Sequence, residues 1–280
     1  MKISITILVD DTVTRSMLLA EHGFSAYLDI NGHKVLFDAG QGMALKHNAR
    51  LMGIKLNNLD SIIISHGHYD HANGIKKLIN LHKIMVYAHP LTTCPRYKKI
   101  GDNEFKQIGI DWISNRSTQE MIEWQLSSDP QYITNDVVLS GEIPRTMKFE
   151  ESDEPFYIKD RDNIVKDYLF DDQALFLRTP EGLIIITGCA HSGLINTILH
   201  AVKLMNDDRV LAVIGGTHLI HSGEERLQVT VEHLESLKVK KLYAAHCTGF
   251  NSCCFLKERL KDRFERLEVG KSLEWIYDEK

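Results

Sequence analysis

Ser65-His66-Gly67-His68-Tyr69-Asp70-His71 decides how this chain reads. The segment follows a short apolar, β-branched run over residues 61–64 that reads as a buried strand, and it puts three imidazoles and one carboxylate into six consecutive positions. Neutral imidazole and carboxylate are ligands for zinc and its first-row neighbours. His66 and His68, two apart in an extended loop, project to the same side. Asp70 and His71 fall where the chain turns into a helix expected over residues 72–80, so they point elsewhere, toward a second metal. Even in a chain with 14 His in 280 residues, H-x-H-x-D-H arises by chance only on the order of a few times in a thousand. A solvated polar loop is the weaker reading.

Upstream, residues 25–30 and 33–37 alternate in polarity on either side of Asn31-Gly32, a strong hairpin signal because a type I′ turn needs positive φ at both central positions. Downstream comes a strand at 84–87, then weak periodicity from Pro90 to about Asp171, with an acidic run from Glu150 to Glu154. That stretch reads as an insertion over one face. Regularity returns with a second hairpin, 173–178 and 183–187, joined by Thr179-Pro180-Glu181-Gly182. A helix over 193–205 with Ser192 as N-cap, a strand at 210–214, a helix over 224–237, a strand at 241–245 and a helix from about Ser252 complete the pattern. Leu227, Val231, Leu234 and Leu237 mark one buried helical stripe. Hairpins followed by alternating strands and helices in both halves predict an α/β architecture of two mixed sheets with helices outside. Residues 1–280 read as a single domain with an insertion at about 90–170, without internal repeat or linker.

Hydrophobic residues are 43% and charged residues 25%, a composition that excludes disordered and fibrous classes. The formal net charge of −5 gives no global footprint for nucleic acid, so a bound anion must be held locally. The apolar start at Met1 lacks a basic leader and a small-residue cleavage site, and no apolar stretch reaches the length of a membrane span. Five cysteines, with Cys253 and Cys254 adjacent, do not resemble a disulfide framework. A cytoplasmic protein without membrane or nucleic-acid partners is expected, its homo-oligomeric state left open.

The H-x-H-x-D-H loop together with Val35-Leu36-Phe37-Asp38-Ala39-Gly40 resembles the metallo-β-lactamase superfamily, whose fold is an αββα sandwich of two mixed β-sheets with outer helices. Five further segments narrow the resemblance: Glu21 to Ser25, Gly141 to Arg145, Thr187 to His191, Gly215 to His218 and His246 to Gly249. They look like the branch that holds the dihydropterin–ribofuranosylaminobenzene phosphate synthases and many bacterial metal-dependent hydrolases. The resemblance implies that Asp38 supports the metal loop from behind and that His191 and His246, at strand ends, complete the ligand set of His66, His68, Asp70 and His71. It also places His22 and His218 near the mouth as substrate-binding residues, where a turn His bonded to backbone is the competing reading.

One position departs from the pattern. Superfamily hydrolases usually carry a bridging Asp where this chain has Cys189. A thiolate ligand and a buried packing thiol both stand as readings, and Asp171 or Asp172 offers a substitute carboxylate. Cys247, Cys253 and Cys254 lack the C-x-x-C spacing of an iron–sulfur site and read as core thiols. The implied cofactor is one or two divalent transition-metal ions, zinc first, with iron or manganese as alternatives. The expected activity is hydrolysis of a small anionic ester or phosphodiester by metal-activated water, with Asp70 as the catalytic carboxylate. A synthase-like transferase is the alternative. An iron-containing redox protein is a third reading, although related diiron proteins resemble H-x-E-x-D-H and His68 stands in place of that Glu.

Overall fold

The computed structural model describes residues 1–78, 83–102, 104–151, 153–161 and 163–277. The chain divides into two compact units: residues 1–127, 153–171 and 268–280 form the first, residues 128–152 and 172–267 the second.

The first unit is built on a seven-stranded sheet in the order Ser272–Ile276, Lys2–Val9, Ser25–Ile30, His33–Phe37, Ser61–Ile63, Ile84–Ala88 and Ile122–Leu126. Its first three pairings are antiparallel and its last three parallel. The switch comes at His33–Phe37, and from there on strands are joined by crossovers rather than hairpins. The turn expected at Asn31-Gly32 forms with φ of 53° and 88°. Lys2–Val9 and Ser61–Ile63 are almost wholly buried, and Leu8, Leu36, Ile62, Ile64, Val86 and Trp112 share one core cluster. A helix expected over 72–80 appears instead as one α-helical turn, Tyr69–Ala72, continued by the 3₁₀ turn Asn73–Lys77; its expected end lies outside the described residues.

Residues 90–170 do more than cover a face. They supply the edge strand Ile122–Leu126 of this sheet and a four-stranded sheet of their own, Asn163–Lys166, Phe156–Asp160, Arg96–Lys99 and Phe105–Gln107. Strands of three to five residues are too short for alternation to rise above noise, which is why periodicity looked weak there.

The second unit repeats the plan without repeating the sequence. Its sheet runs Phe264–Arg266, Leu242–Ala245, Val210–Gly216, Gly182–Thr187, Ala174–Thr179, Val137–Leu139 and Gln131–Thr134, parallel through its first three pairings and antiparallel through the rest. Gly182–Thr187 and Val210–Gly216 are buried at every position, as near-continuous apolar runs in the interior of a sheet covered on both faces should be. The helices Leu194–Met205, Glu224–Ser236 and Phe250–Leu260 share a core cluster with Phe176, Ile185 and Val213. Leu227, Val231 and Leu234 are buried in it, and Leu237 packs against it.

Ser192 does not cap the first of these helices. The N-cap position is Gly193 and makes no side-chain bond. The buried carboxylate of Glu150 accepts the N–H groups of Ile195 and Asn196, each at 2.8 Å. Burial raises the Glu150 pKa, and the two backbone N–H bonds oppose that rise. A carboxylate aimed at a helix N-terminus satisfies donors that the helix itself cannot. Glu150→Ala is expected to lower stability by about 1–2 kcal/mol, read as a shift in the midpoint of urea unfolding with an unchanged slope.

Candidate metal centre

In the first unit the site grows from two parallel strand ends. Phe37 pairs with Ile63, so Asp38, one residue past its strand, and Ser65, two past its own, leave the sheet close together. Asp38 turns into left-handed backbone at φ 56°, and its N–H still donates to Ile63 O at 2.8 Å. That turn aims its carboxylate at the metal loop. Asp38 Oδ1 accepts Ser65 N–H at 2.7 Å, and Oδ2 accepts both Ser65 Oγ–H and His71 Nδ1–H at 2.7 Å. Ser65 Oγ also lies 2.9 Å from His66 Nδ1. With its Nδ1 on a carboxylate, His71 keeps Nε2 as its lone-pair nitrogen, which is how ligating histidines are oriented.

His66 and His68 converge as the loop spacing requires, with His66 Nε2 3.0 Å from His68 Nδ1. Asp70 Oδ2 stands 3.8 Å from His71 Nε2 and 3.3 Å from His22 Nε2, while His22 Nδ1 lies 3.1 Å from Asp11 Oδ2. His22, expected to meet substrate, thus reaches Asp70 directly. Its side chain is half exposed, whereas that of Asp70 is nearly covered. Asp11 carried no signal in the sequence beyond its charge.

A second brace holds the loop from the other side. Asp171 Oδ2 accepts Gly67 N–H at 2.7 Å, between the two histidines, and Thr92 Oγ lies 3.4 Å away. Asp171 Oδ1 pairs with Arg96 at 2.8 Å, and Arg96 also pairs with Asp167 at 3.0 Å. All three side chains are buried, Arg96 completely. Buried charges persist only when paired and hydrogen-bonded, and here both carboxylates share the one guanidinium. Asp171, offered by the sequence as a substitute ligand, has both oxygens committed to this brace. Gly67 has no room for a side chain, because a Cβ there would stand 2.4 Å from Thr92 O.

Burial, and then the Arg96 charge, lower the His68 pKa to about 3. His68 is therefore neutral and ligand-ready near neutral pH. Because its folded pKa is depressed, the stability it contributes is present above its ordinary value of 6.5 and lost as pH falls from there toward about 3.

The second unit gathers its own set. Gly182–Thr187, Val210–Gly216 and Leu242–Ala245 run parallel, so their carboxyl ends align, and each is followed by chemistry-bearing residues: Cys189 and His191, His218, and His246 with Cys247. Ala190, His218 and His246 all adopt left-handed backbone, at φ 58°, 53° and 45°, a conformation that clusters at functional sites when the surroundings hold it. The rings of His191 and His218 lie 4.1 Å apart. Asp172 Oδ2 accepts Ser192 N–H at 2.8 Å, which fixes the backbone beside His191. Burial opposes ionisation of the Cys247 thiol, yet hydrogen bonds from Cys189 and His218 and the nearby His246 hold its pKa well below the ordinary thiol value. Sequence reasoning missed Cys247, Arg96 and Thr92. For Cys247 the adjacent His246 was the available signal; for Arg96 and Thr92 there was none.

The donor set of the first unit fits a transition metal. Its buried imidazoles, with His66 and His68 converging and His71 oriented by a carboxylate, match what zinc, ferrous iron or manganese takes from protein. Supports of this kind affect metal affinity by about 10–100-fold. Asp38→Ala and Asp171→Ala should each weaken metal binding within that range in competition with a chromophoric chelator, with His33→Ala unchanged.

A sequence model of the metallo-β-lactamase superfamily matches residues 20–246. The chain is 34% identical over 272 residues to the 7,8-dihydropterin-6-methyl-4-(β-D-ribofuranosyl)-aminobenzene-5′-phosphate synthase of Methanocaldococcus jannaschii, covering 91% of this chain and 90% of that protein. An uncharacterised protein of the same archaeon is 35% identical over 257 residues, with 91% and 94% covered. Among solved structures, Tm1679, described as a metal-dependent hydrolase of the β-lactamase superfamily, superposes with a TM-score of 0.84 at 27% identity, covering 99% of this chain and all of that one. The two mixed sheets with their helices, the loop from His66 to His71 and these relatives agree: the chain belongs to the metallo-β-lactamase superfamily.

Proposed function

We propose that the protein is a metal-dependent hydrolase of a small anionic ester or phosphodiester. The observation that supports it most directly is the buried pair His66 Nε2 and His68 Nδ1, 3.0 Å apart, flanked by Asp70 and braced by Asp38. His66, His68, Asp70 and His71 are the ligands of this proposal, joined by His191 and His246 on the pattern of the family. Zinc is the first choice of ion, with iron or manganese next. Such an ion, when bound, polarises a substrate oxygen and brings the pKa of coordinated water toward about 7.

The chain's own groups do the rest. Asp70 orients the attacking water and takes its proton at Oδ2. His22, 3.3 Å from that oxygen and half exposed, holds the carboxylate and relays the proton outward, with Asp11 on its far nitrogen. His218, against the His191 ring, is the candidate for binding a substrate oxyanion. The described function of Tm1679 favours this reading.

Transfer in place of hydrolysis is the second reading, favoured by the 34% identity with the archaeal synthase over most of both chains. An aromatic carbon or amine would then take the place of water at the reacting centre. One screen separates the two. Protein reconstituted with zinc, iron or manganese should hydrolyse bis(p-nitrophenyl) phosphate with a rate that rises through about pH 7. His66→Ala with His68→Ala should lower that rate by at least about 10²-fold and reduce bound metal by elemental analysis. If every metal form is inert on esters yet condenses a pterin diphosphate with an aminobenzene ribotide, the transferase reading replaces the first. Equal metal content in the double variant and the unaltered chain would overturn the ligand assignment.

A further inference from the structure

Asp167-Tyr168-Leu169-Phe170-Asp171 is a short loop of the first unit, pinned at both ends beside the metal loop. Arg96 holds the two terminal carboxylates with one guanidinium, at 3.0 Å and 2.8 Å. Asp167 also donates its N–H to Phe156 O at 2.9 Å, and the Phe156 ring lies 5.1 Å from that of His68. At the other end Asp171 accepts the N–H of Gly67 at 2.7 Å, the residue just before His68. The loop therefore runs along the flank of His68, from one of its neighbours to the other. Between the pins, Leu169 adopts left-handed backbone at φ 54°, which a bulky residue rarely does. Its N–H donates to Asp167 Oδ1 at 2.8 Å, and its side chain is buried. Turning Leu169 inward leaves the residues on either side open to solvent: Tyr168 is 57% exposed and Phe170 49%. Their ring centroids are 5.9 Å apart, with the planes tilted by 40°. Strained backbone that its surroundings over-determine clusters at ligand sites, and here it sets out two aromatic rings.

We propose that Tyr168 and Phe170 are the aromatic wall of a substrate subsite beside His68, and that the substrate carries a planar aromatic or heteroaromatic ring next to its anionic group. This rests on the metal-centre reading given above and names the part of the substrate that a metal would not touch. Two such rings cover at most about 500 Å², short of the roughly 800 Å² that each partner gives to a stable protein interface. That area suits a small flat ligand. Aromatic rings favour offset or edge-to-face partners at centroid separations of about 4.5–7 Å, an attraction that a saturated ring of the same size does not offer. The Arg96 pairs and the buried Leu169 hold both rings in place beforehand, so little ordering opposes binding. The subsite serves hydrolysis and transfer alike, because it acts on the substrate's body and leaves the reacting bond to the metal centre.

Phenylphosphonate and cyclohexylphosphonate are the probes. They match in charge and ring size, differ in flatness and contain no ester to cleave. In calorimetric titration of the full-length, zinc-loaded chain, phenylphosphonate should bind about 5-fold more tightly. Tyr168→Ala with Phe170→Ala should erase that preference with zinc content unchanged, whereas Tyr132→Ala, an aromatic residue 65% exposed in the second unit, should keep it. Should the double variant fail to fold, Tyr168→Leu with Phe170→Leu, which keeps apolar bulk and removes the flat faces, is titrated in its place with the same expected loss. Equal affinities in the unaltered chain, no binding of phenylphosphonate, or a preference retained in the double variant would each overturn the proposal. So would a dimer lost on substitution with the preference intact, which would assign the rings to a contact between copies. Because the readout is binding, an inert protein with the preference intact counts against hydrolysis alone. Turnover of bis(p-nitrophenyl) phosphate without the preference counts against the aromatic wall alone.

Discussion

The first unit of this protein is organised around one carboxylate. Asp38 receives Ser65 N–H, Ser65 Oγ–H and His71 Nδ1–H, all at 2.7 Å, and its backbone is pinned as well, with Ser25 Oγ–H on its carbonyl at 2.8 Å. It is fully buried. A buried carboxylate is stable only when donors surround it, so the donors and the acid fix one another. The metal loop cannot shift without leaving a buried charge short of partners, and that rigidity is what a ligand set needs if it is to be held in place before an ion arrives. The same constraint explains the left-handed turn at Asp38, because an extended residue there would continue the strand and carry the side chain away from the loop.

Arg96 and Asp171 solve the complementary problem on the other side of the loop. Gly67 N–H, between two histidines, has no secondary-structure partner, and an unpaired buried N–H is costly. Asp171 supplies the acceptor, and the Arg96 guanidinium, which Asp167 shares, keeps that carboxylate from being an uncompensated charge. The Arg96 charge also helps keep His68 neutral, so the structural brace and the readiness of the ligand share one cause. The strands Arg96–Lys99 and Phe156–Asp160 position this cluster, and Phe156 places its ring 5.1 Å from that of His68. The region read as an insertion therefore builds the environment of the loop.

In the second unit the chemistry gathers at the carboxyl ends of parallel strands, where side chains from separate crossovers come together. Three non-glycine residues with left-handed backbone sit within these short segments. Tight turns of this sort redirect a chain leaving a strand within one or two residues, bringing His191 beside His218 and a Cys247 sulfur between two backbones.

Much of this was legible before any fold was seen. The loop His66 to His71 announced its chemistry because ligand type and a two-residue spacing in an extended chain are local properties. The turn at Asn31-Gly32, the apolar runs of Gly182–Thr187 and Val210–Gly216 and the stripe of Leu227, Val231 and Leu234 were equally local, each a period of two, a period of three to four or an apolar run that the backbone enforces. The N-terminus of Leu194–Met205 was misread for the complementary reason, since Glu150, 45 residues away from Ile195, took the role that local pattern gave to Ser192. The bonds that hold the site are of that second kind. Asp171 meets Gly67 across 104 positions and Cys247 meets Cys189 across 58. The sequence by itself pointed to the residues of the proposed chemistry and to the strands and helices with a clear period, and not to the short strands between residues 90 and 170. Only the tertiary structure decided that Asp171 is a brace and Cys247 a neighbour of Cys189, because strand order and parallel register set such contacts, and neither leaves a periodic trace in the chain.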